Sequence, residues 1–228
     1  MLAMGAWAQD QSDESDLSLG IQGGVGGFVS TGSLKDNFGG AIDFTAGLTA
    51  DYKRLRLKAD FGYAQPSFKN YNIYDIKDEE GRDAQINNTT KPTQFMLGVQ
   101  LGYKVWNNKR IAITPAAGMF MNHYSWILND IEWSKNDKGE DVFKVTESHS
   151  TKLNSVSWMA SVDVEIKLHE KFTTEPFMLN GRYSRLTSYL RITPWIGHAR
   201  YNKCVPAVKG NYVGVTLRYA GFMRSLGF

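Results

Sequence analysis

Residues 41–64 read AIDFTAGLTADYKRLRLKADFGYA, apolar at every second position, with Asp43, Thr45, Asp51, Arg56, Lys58 and Asp60 in between. Alternation of this kind marks strands with two chemically different faces, because successive side chains of a strand point to opposite sides. Eight segments carry it. The first sets Leu17, Leu19, Ile21, Val25 and Val29 against Ser18, Gln22 and glycines. Ile42, Phe44, Leu48 and Tyr52 define the second, and Leu55, Leu57, Phe61 and Tyr63 the third. The fourth has Phe95, Leu97, Val99, Leu101 and Tyr103, and the sixth, the cleanest, runs from Val156 through Trp158, Val162 and Val164 to Leu168. Less regular are the fifth, with Ile111, Ile113, Met119 and Met121 around Pro115, the seventh, with Phe177, Leu179 and Tyr183, and the eighth, from Val213 to Tyr219.

The connections alternate in length. Tight turns are expected at YKRL, NNKR and HEKF, after segments two, four and six. Longer polar loops follow the odd-numbered segments, notably KNYNIYDIKDEEGRDAQINNTT and LRITPWIGHARYNKCVPAVKG. Short turns on one rim and long loops on the other are the layout of a transmembrane barrel with its turns in the periplasm. No run of about 18 apolar residues exists, so a membrane-spanning helix is not expected and a membrane form of this chain has to be a barrel. Ala6-Trp7-Ala8 followed by QDQSDESD resembles the end of a secretory signal peptide. The expected organisation is a signal remnant at 1–8, a disordered stretch at 9–15 and one barrel domain at 16–228.

Aromatic residues near strand ends support the same reading. Tyr52, Tyr103 and Trp106 fall on the short-turn side, and Tyr63, Trp126, Trp158, Tyr183 and Tyr212 towards the long loops. Two such girdles are expected where amphipathic rings meet the two lipid–water boundaries. The fold class expected is therefore all-β: an eight-stranded antiparallel up-and-down transmembrane β-barrel with a polar lumen filled by side chains. Asp43, Asp51, Arg56, Lys58, Asp60, Lys104, Asp163, Glu165, Lys167, Arg182 and Arg218 form its lumen charge network, both signs being present to pair. The alternative is a soluble lipocalin-like ligand binder with the apolar rows turned inward, which an eight-stranded barrel also permits.

With this layout, LGIQGGVGG near the start, FMLGVQLGYKV in segment four and NYVGVTLRYAGF near the end resemble the small outer-membrane barrels of the OmpX and OmpA transmembrane type. More narrowly, they are similar to the PorT-like barrel proteins of Bacteroidetes. The resemblance implies a Gram-negative outer-membrane location, lipid and lipopolysaccharide as surroundings, a barrel-assembly machinery as partner, and a monomer. Such chains typically end in an aromatic residue, here Phe228. The outward positions Val213 to Tyr219 are odd-numbered and Phe222 is even, so a bulge near Gly221 or a strand end near Phe222 is expected.

Little in the chain points to catalysis. A net charge of +3 without a basic aromatic stripe gives no support for nucleic-acid binding. Cys204 is the single cysteine, and His123, His149, His169 and His198 lack metal-ligand spacing, so neither metal nor cofactor is expected. His123-Tyr124-Ser125 places a base and a nucleophile on one strand face, which resembles the His-x-Ser pair of PagL-type lipid A deacylases. Asp130 or Glu132 would orient the histidine, and Trp126 stands where that family carries Asn. WILNDIEWSKNDKGEDVFKVTESHS reads as segments five and six continuing into a protruding hairpin, a surface for a protein partner. Trp195, His198, Arg200, Tyr201 and Lys203 in the last loop would touch lipopolysaccharide phosphates. The function expected is non-enzymatic, in membrane structure, surface interaction or envelope secretion, with the deacylase-like hydrolase as alternative.

Overall fold

The computed structural model describes residues 14–67, 92–139, 141–173, 184–201 and 208–226. Eight long strands follow in order: β1 (Glu14–Ser30), β2 (Ala41–Tyr52), β3 (Leu55–Ala64), β4 (Thr93–Tyr103), β5 (Ile111–Lys135), β6 (Asp141–Thr173), β7 (Ser184–Tyr201) and β8 (Val208–Leu226). Each pairs antiparallel with its chain neighbours, and β1 also pairs with β8, from Glu14 opposite Leu226 to Ser30 opposite Tyr212. The ring is thereby closed and leaves no edge in its wall, the condition that lipid imposes on a sheet.

The wall is inside out. Ile42 is 72% exposed and Phe44 59%, while their neighbour Asp43 is 1% exposed. Leu97, Leu101, Met119, Val156, Val215 and Leu217 face outward in the same way. Burying these rows in hydrocarbon removes that apolar surface from water. Pro115 fits because its main chain faces β4, where pairing ends at Ala116 opposite Gly102, so no ladder bond is lost, while the register against β6 runs on with Pro115 opposite Val162.

Three expectations about the C-terminal half are corrected. HEKF is strand, not turn: His169 lies opposite Ser188 and Phe172 opposite Arg185. Residues 184–201 are the seventh strand rather than part of a loop, while Phe177 to Tyr183 lie outside the described residues. The outward row Leu186, Ser188, Leu190, Ile192, Pro194 mixes apolar with turn-type residues, and the inward row includes Trp195, Ala199 and Tyr201, which hides the alternation. The last strand needs no bulge at Gly221 and does not stop there. Its register against β7 is unbroken from Val208 to Ser225, so Phe222 faces inward.

At the long-loop end, the connection after β1 folds back as α1 (Ser33–Asn37). Leu34 and the following Phe38 are fully buried in the mouth of the barrel. Thr31 N–H donates to the Asn211 carbonyl at 2.8 Å, and Ser33 Oγ to the Lys209 carbonyl at 3.0 Å, fixing the segment to the start of β8. Gly210 permits this approach, since a Cβ there would stand 1.9 Å from the Thr31 carbonyl oxygen. Replacing outward, mid-strand Leu97 by Arg is expected to lower folding stability in lipid bilayers by about 2–4 kcal/mol, the usual cost of a cation at the lipid face. Lys138→Ala at the hairpin tip leaves it unchanged; urea titration followed by heat-modifiable gel mobility reads both.

Candidate functional site

The bore is held by ion pairs that the ladder register creates. Asp51 on β2 lies opposite Arg56 on β3, and the guanidinium grips it with Nε and Nη2 at 2.7 and 2.9 Å. The same Nη2 donates to Glu165 on β6 at 2.9 Å, and Nη1 reaches Asp163 at 3.4 Å. Lys58 Nζ donates to Asp163 and Ser161, both at 3.0 Å, and Thr193 Oγ1 donates to Asp163 at 3.0 Å. Lys104 caps Asp51 at 2.7 Å, and Arg218 pairs with Asp60 at 2.9 Å. Asp43 is buried nearby, while Lys167 pairs with Glu170 at the short-turn mouth.

Arg191 on β7 is the member that sequence reading misses. It is fully buried, donates Nε to Glu165 at 3.0 Å and bonds Gln22 of β1. With it, the five acids Asp43, Asp51, Asp60, Asp163 and Glu165 are matched in number by Arg56, Lys58, Lys104, Arg191 and Arg218; Asp51 and Glu165 each bind two of these cations, while Asp43 Oδ1 has no hydrogen-bond partner. Phe222 lies under the two central guanidinium groups, 5.4 Å from Arg56 and 5.5 Å from Arg191. The signal for Arg191 was its inward parity with Thr193 and Trp195, visible only once 184–201 is recognised as strand. Arg182 lies outside the described residues.

The long-loop mouth is sealed by rings. Phe38 stacks on Tyr124 with centroids 4.3 Å apart, and the Tyr212 hydroxyl bonds those of Tyr124 at 3.0 Å and Tyr201 at 3.2 Å. Trp126 and Tyr212, expected in the interfacial girdle, are instead interior. Their even numbering puts Trp126 in line with inward Phe120 and Asn122, and Tyr212 with inward Thr216 and Arg218. Trp195 and Tyr201, expected in an exposed loop, are buried in the same cluster, and Lys203 lies outside the described residues. Tyr52, Tyr103, Trp106 and Trp158 are exposed on the outer wall, Tyr63 is half-buried there against Phe95, and Tyr183 is not described. Between mouth and ion network the remaining interior cavity is about 40 Å³, lined by Asp60, Met96, Gln100 and Phe120 among others. That cavity has space for about one water.

Two features lie outside the bore. His123 and Ser125 share the outward face of β5, and His123 Nδ1 meets Asn154 Oδ1 of β6 at 2.5 Å. Asn154 thus holds the ring, and the side chains of Asp130 and Glu132 lie outside the described residues. Further up, β5 pairs with β4 only as far as Ser125 opposite Thr93, and β6 with β7 only as far as Met159 opposite Gly197. Beyond these points the two strands pair only with each other among the described residues, up to Lys135 opposite Asp141, with a register shift at Asp130/Ile131.

The chain matches the model of the outer membrane protein beta-barrel domain family over residues 1–220. A search of the curated proteins found no match. Among solved structures it is similar to Neisserial surface protein A, at 14% identity, covering 92% of this chain and 98% of that one with a TM-score of 0.40. Ail, the attachment invasion locus protein of Yersinia pestis, shares 9% identity over 92% of this chain and 99% of that one, with a TM-score of 0.44. The outer membrane protease OmpT of Escherichia coli shares 8% identity over 91% and 95%, with a TM-score of 0.34.

Removing one partner from a buried pair strands the other charge, which typically costs about 3–5 kcal/mol. Glu165→Gln, which leaves Arg56 and Arg191 under-compensated, is expected to lower stability by that order in denaturant titration. Coupling it to Arg191→Met is expected to recover a large part of the loss.

Proposed function

The chain belongs to the outer membrane protein beta-barrel domain family, and from that premise we propose that it is a non-enzymatic surface-interaction protein whose working part is the β5–β6 hairpin. The barrel resides in the bacterial outer membrane and serves as a rigid pedestal. The observation that carries the reading is the pairing limit: residues 126–135 of β5 and their partners on β6 extend past the wall with no other strand beside them among the described residues. Ten residues of strand reach about 33 Å. An unpaired ladder offers backbone donors and acceptors to an extended segment of a partner protein, as in strand addition. The shift at Asp130/Ile131 kinks the hairpin and restrains indiscriminate edge pairing. An accessory role in envelope secretion, implied by the PorT-like resemblance, would use the same surface.

Lipopolysaccharide is the proposed surrounding of the upper wall. Arg200 and Lys209 are exposed and stand directly opposite each other on β7 and β8. Like charges in that position repel, and a bridging phosphate would offset the cost. Beside them His198 stacks on Trp158 with centroids 6.2 Å apart.

A second reading rests on the His123–Asn154 contact. In a lipid A ester hydrolase of the PagL type, His123 would take the Ser125 hydroxyl proton as Oγ attacks an acyl ester, with Asn154 orienting the ring.

Replacing residues 129–148 by a tight turn is expected to leave heat-modifiable folding intact and to abolish the attachment of producing cells to immobilised matrix proteins. Attachment equal to the full-length chain removes the hairpin reading. His123→Ala and Ser125→Ala are expected to leave the acylation of lipid A, read by mass spectrometry, as it is with the unaltered protein. A loss of deacylation in both variants instead establishes the hydrolase.

A further inference from the structure

Two concavities meet on the outer wall at the short-turn end, and they differ in chemistry. The larger, about 930 Å³, is an apolar groove. Its floor follows one cross-strand row, Ala59, Leu48, Ile21, Gly221, Ser188 and His169, each paired with the next across the ladder. The adjacent row runs in parallel from Leu57 to Lys171. Ala59, Gly221 and Ser188 are the small residues of this row, and at Gly221 an added Cβ would meet nothing within 4 Å. The smaller concavity, about 470 Å³, is lined by Leu168 and by the charged or polar Lys109, Lys167, His169, Glu170 and Arg185. Glu170 is the carboxylate in that lining and already pairs with both Lys167 and Arg185, so positive charge is in excess.

His169 lines both. The groove therefore starts at a cationic foot and continues as hydrocarbon-facing wall. It also climbs. Continued past Leu57, the Lys171 row passes Leu101 and Ala117 and re-enters β6 at Ala160, much nearer the outer end of the strand that carries Lys171. Spanning six strands at the usual spacing, it is about 24 Å long, the reach of a long acyl chain.

We propose that this composite site seats one anionic glycerophospholipid, its phosphate at Lys109, His169 and Lys171 and an acyl chain along the Gly221 groove. Charge selects the headgroup. Exposed Lys109, Arg110, His169 and Lys171 lie at this end, whereas the exposed carboxylates among described side chains, Asp36 and Asp137, lie at the other. The wall around the groove faces acyl chains, so a lipid is the occupant at hand. The role is distinct from the hairpin reading and does not depend on it.

Native mass spectrometry of refolded, delipidated protein tests it, with palmitoyl-oleoyl phosphatidylglycerol and phosphatidylcholine as probes. Retention of phosphatidylglycerol is expected to exceed that of phosphatidylcholine about tenfold, the effect of roughly 1.4 kcal/mol. Lys109→Glu combined with Lys171→Glu is expected to erase the preference, and Gly221→Trp to reduce retention of both lipids, with heat-modifiable mobility confirming folding. Lys209→Glu at the opposite end is expected to leave the preference intact. Equal retention of the two lipids, an unaltered preference in the double variant, or a concentration-dependent dimer in place of lipid adducts would overturn the proposal.

Discussion

Arg56 holds the interior together. Its guanidinium joins carboxylates from two sides of the barrel, Asp51 on the neighbouring strand and Asp163 and Glu165 across the bore. Charges removed from water survive only where partners replace the lost solvation. Here the register of the ladder sets the partners in place, so the hydrogen bonds of the wall and the ion pairs of the bore specify one another. A slip of one residue in any strand would turn its cations towards lipid and its aliphatic row into the bore.

The two ends of the interior are closed by different chemistry. Phe222 lies beneath the arginines at one end, where its ring face meets the cations. At the other, α1 and Phe38 fill the mouth with apolar side chains and a chain of tyrosine hydroxyls. With the middle of the bore occupied by ion pairs and rings, attention turns to the rims, to the hairpin above and the groove below.

Most of the wall could be read from alternation, since Phe44, Leu97 and Val215 face outward and Asp43, Lys58 and Asp163 inward as their parity requires. The reading failed where inward side chains are themselves apolar. Trp126, Trp195, Tyr201 and Tyr212 look like girdle or loop aromatics in sequence, yet they fill the mouth, because a sealed bore needs hydrophobic residues on its inner face too. Arg191 escaped for the same reason, its strand being obscured by Ser188, Pro194 and the inward rings. Asn154 was unreadable locally: its link to His123 follows from pairing between strands 31 positions apart. Leu34 and Phe38 sit in a short polar connection, where nothing in the spacing signals that the segment turns inward.

The anchorage of α1 carries a consequence for assembly. Its hydrogen bonds to Asn211 and Lys209 reach the very start of the last strand, while the following Phe38 stacks on Tyr124 of β5. The cork is therefore fully tethered only when the final stave stands docked against the first.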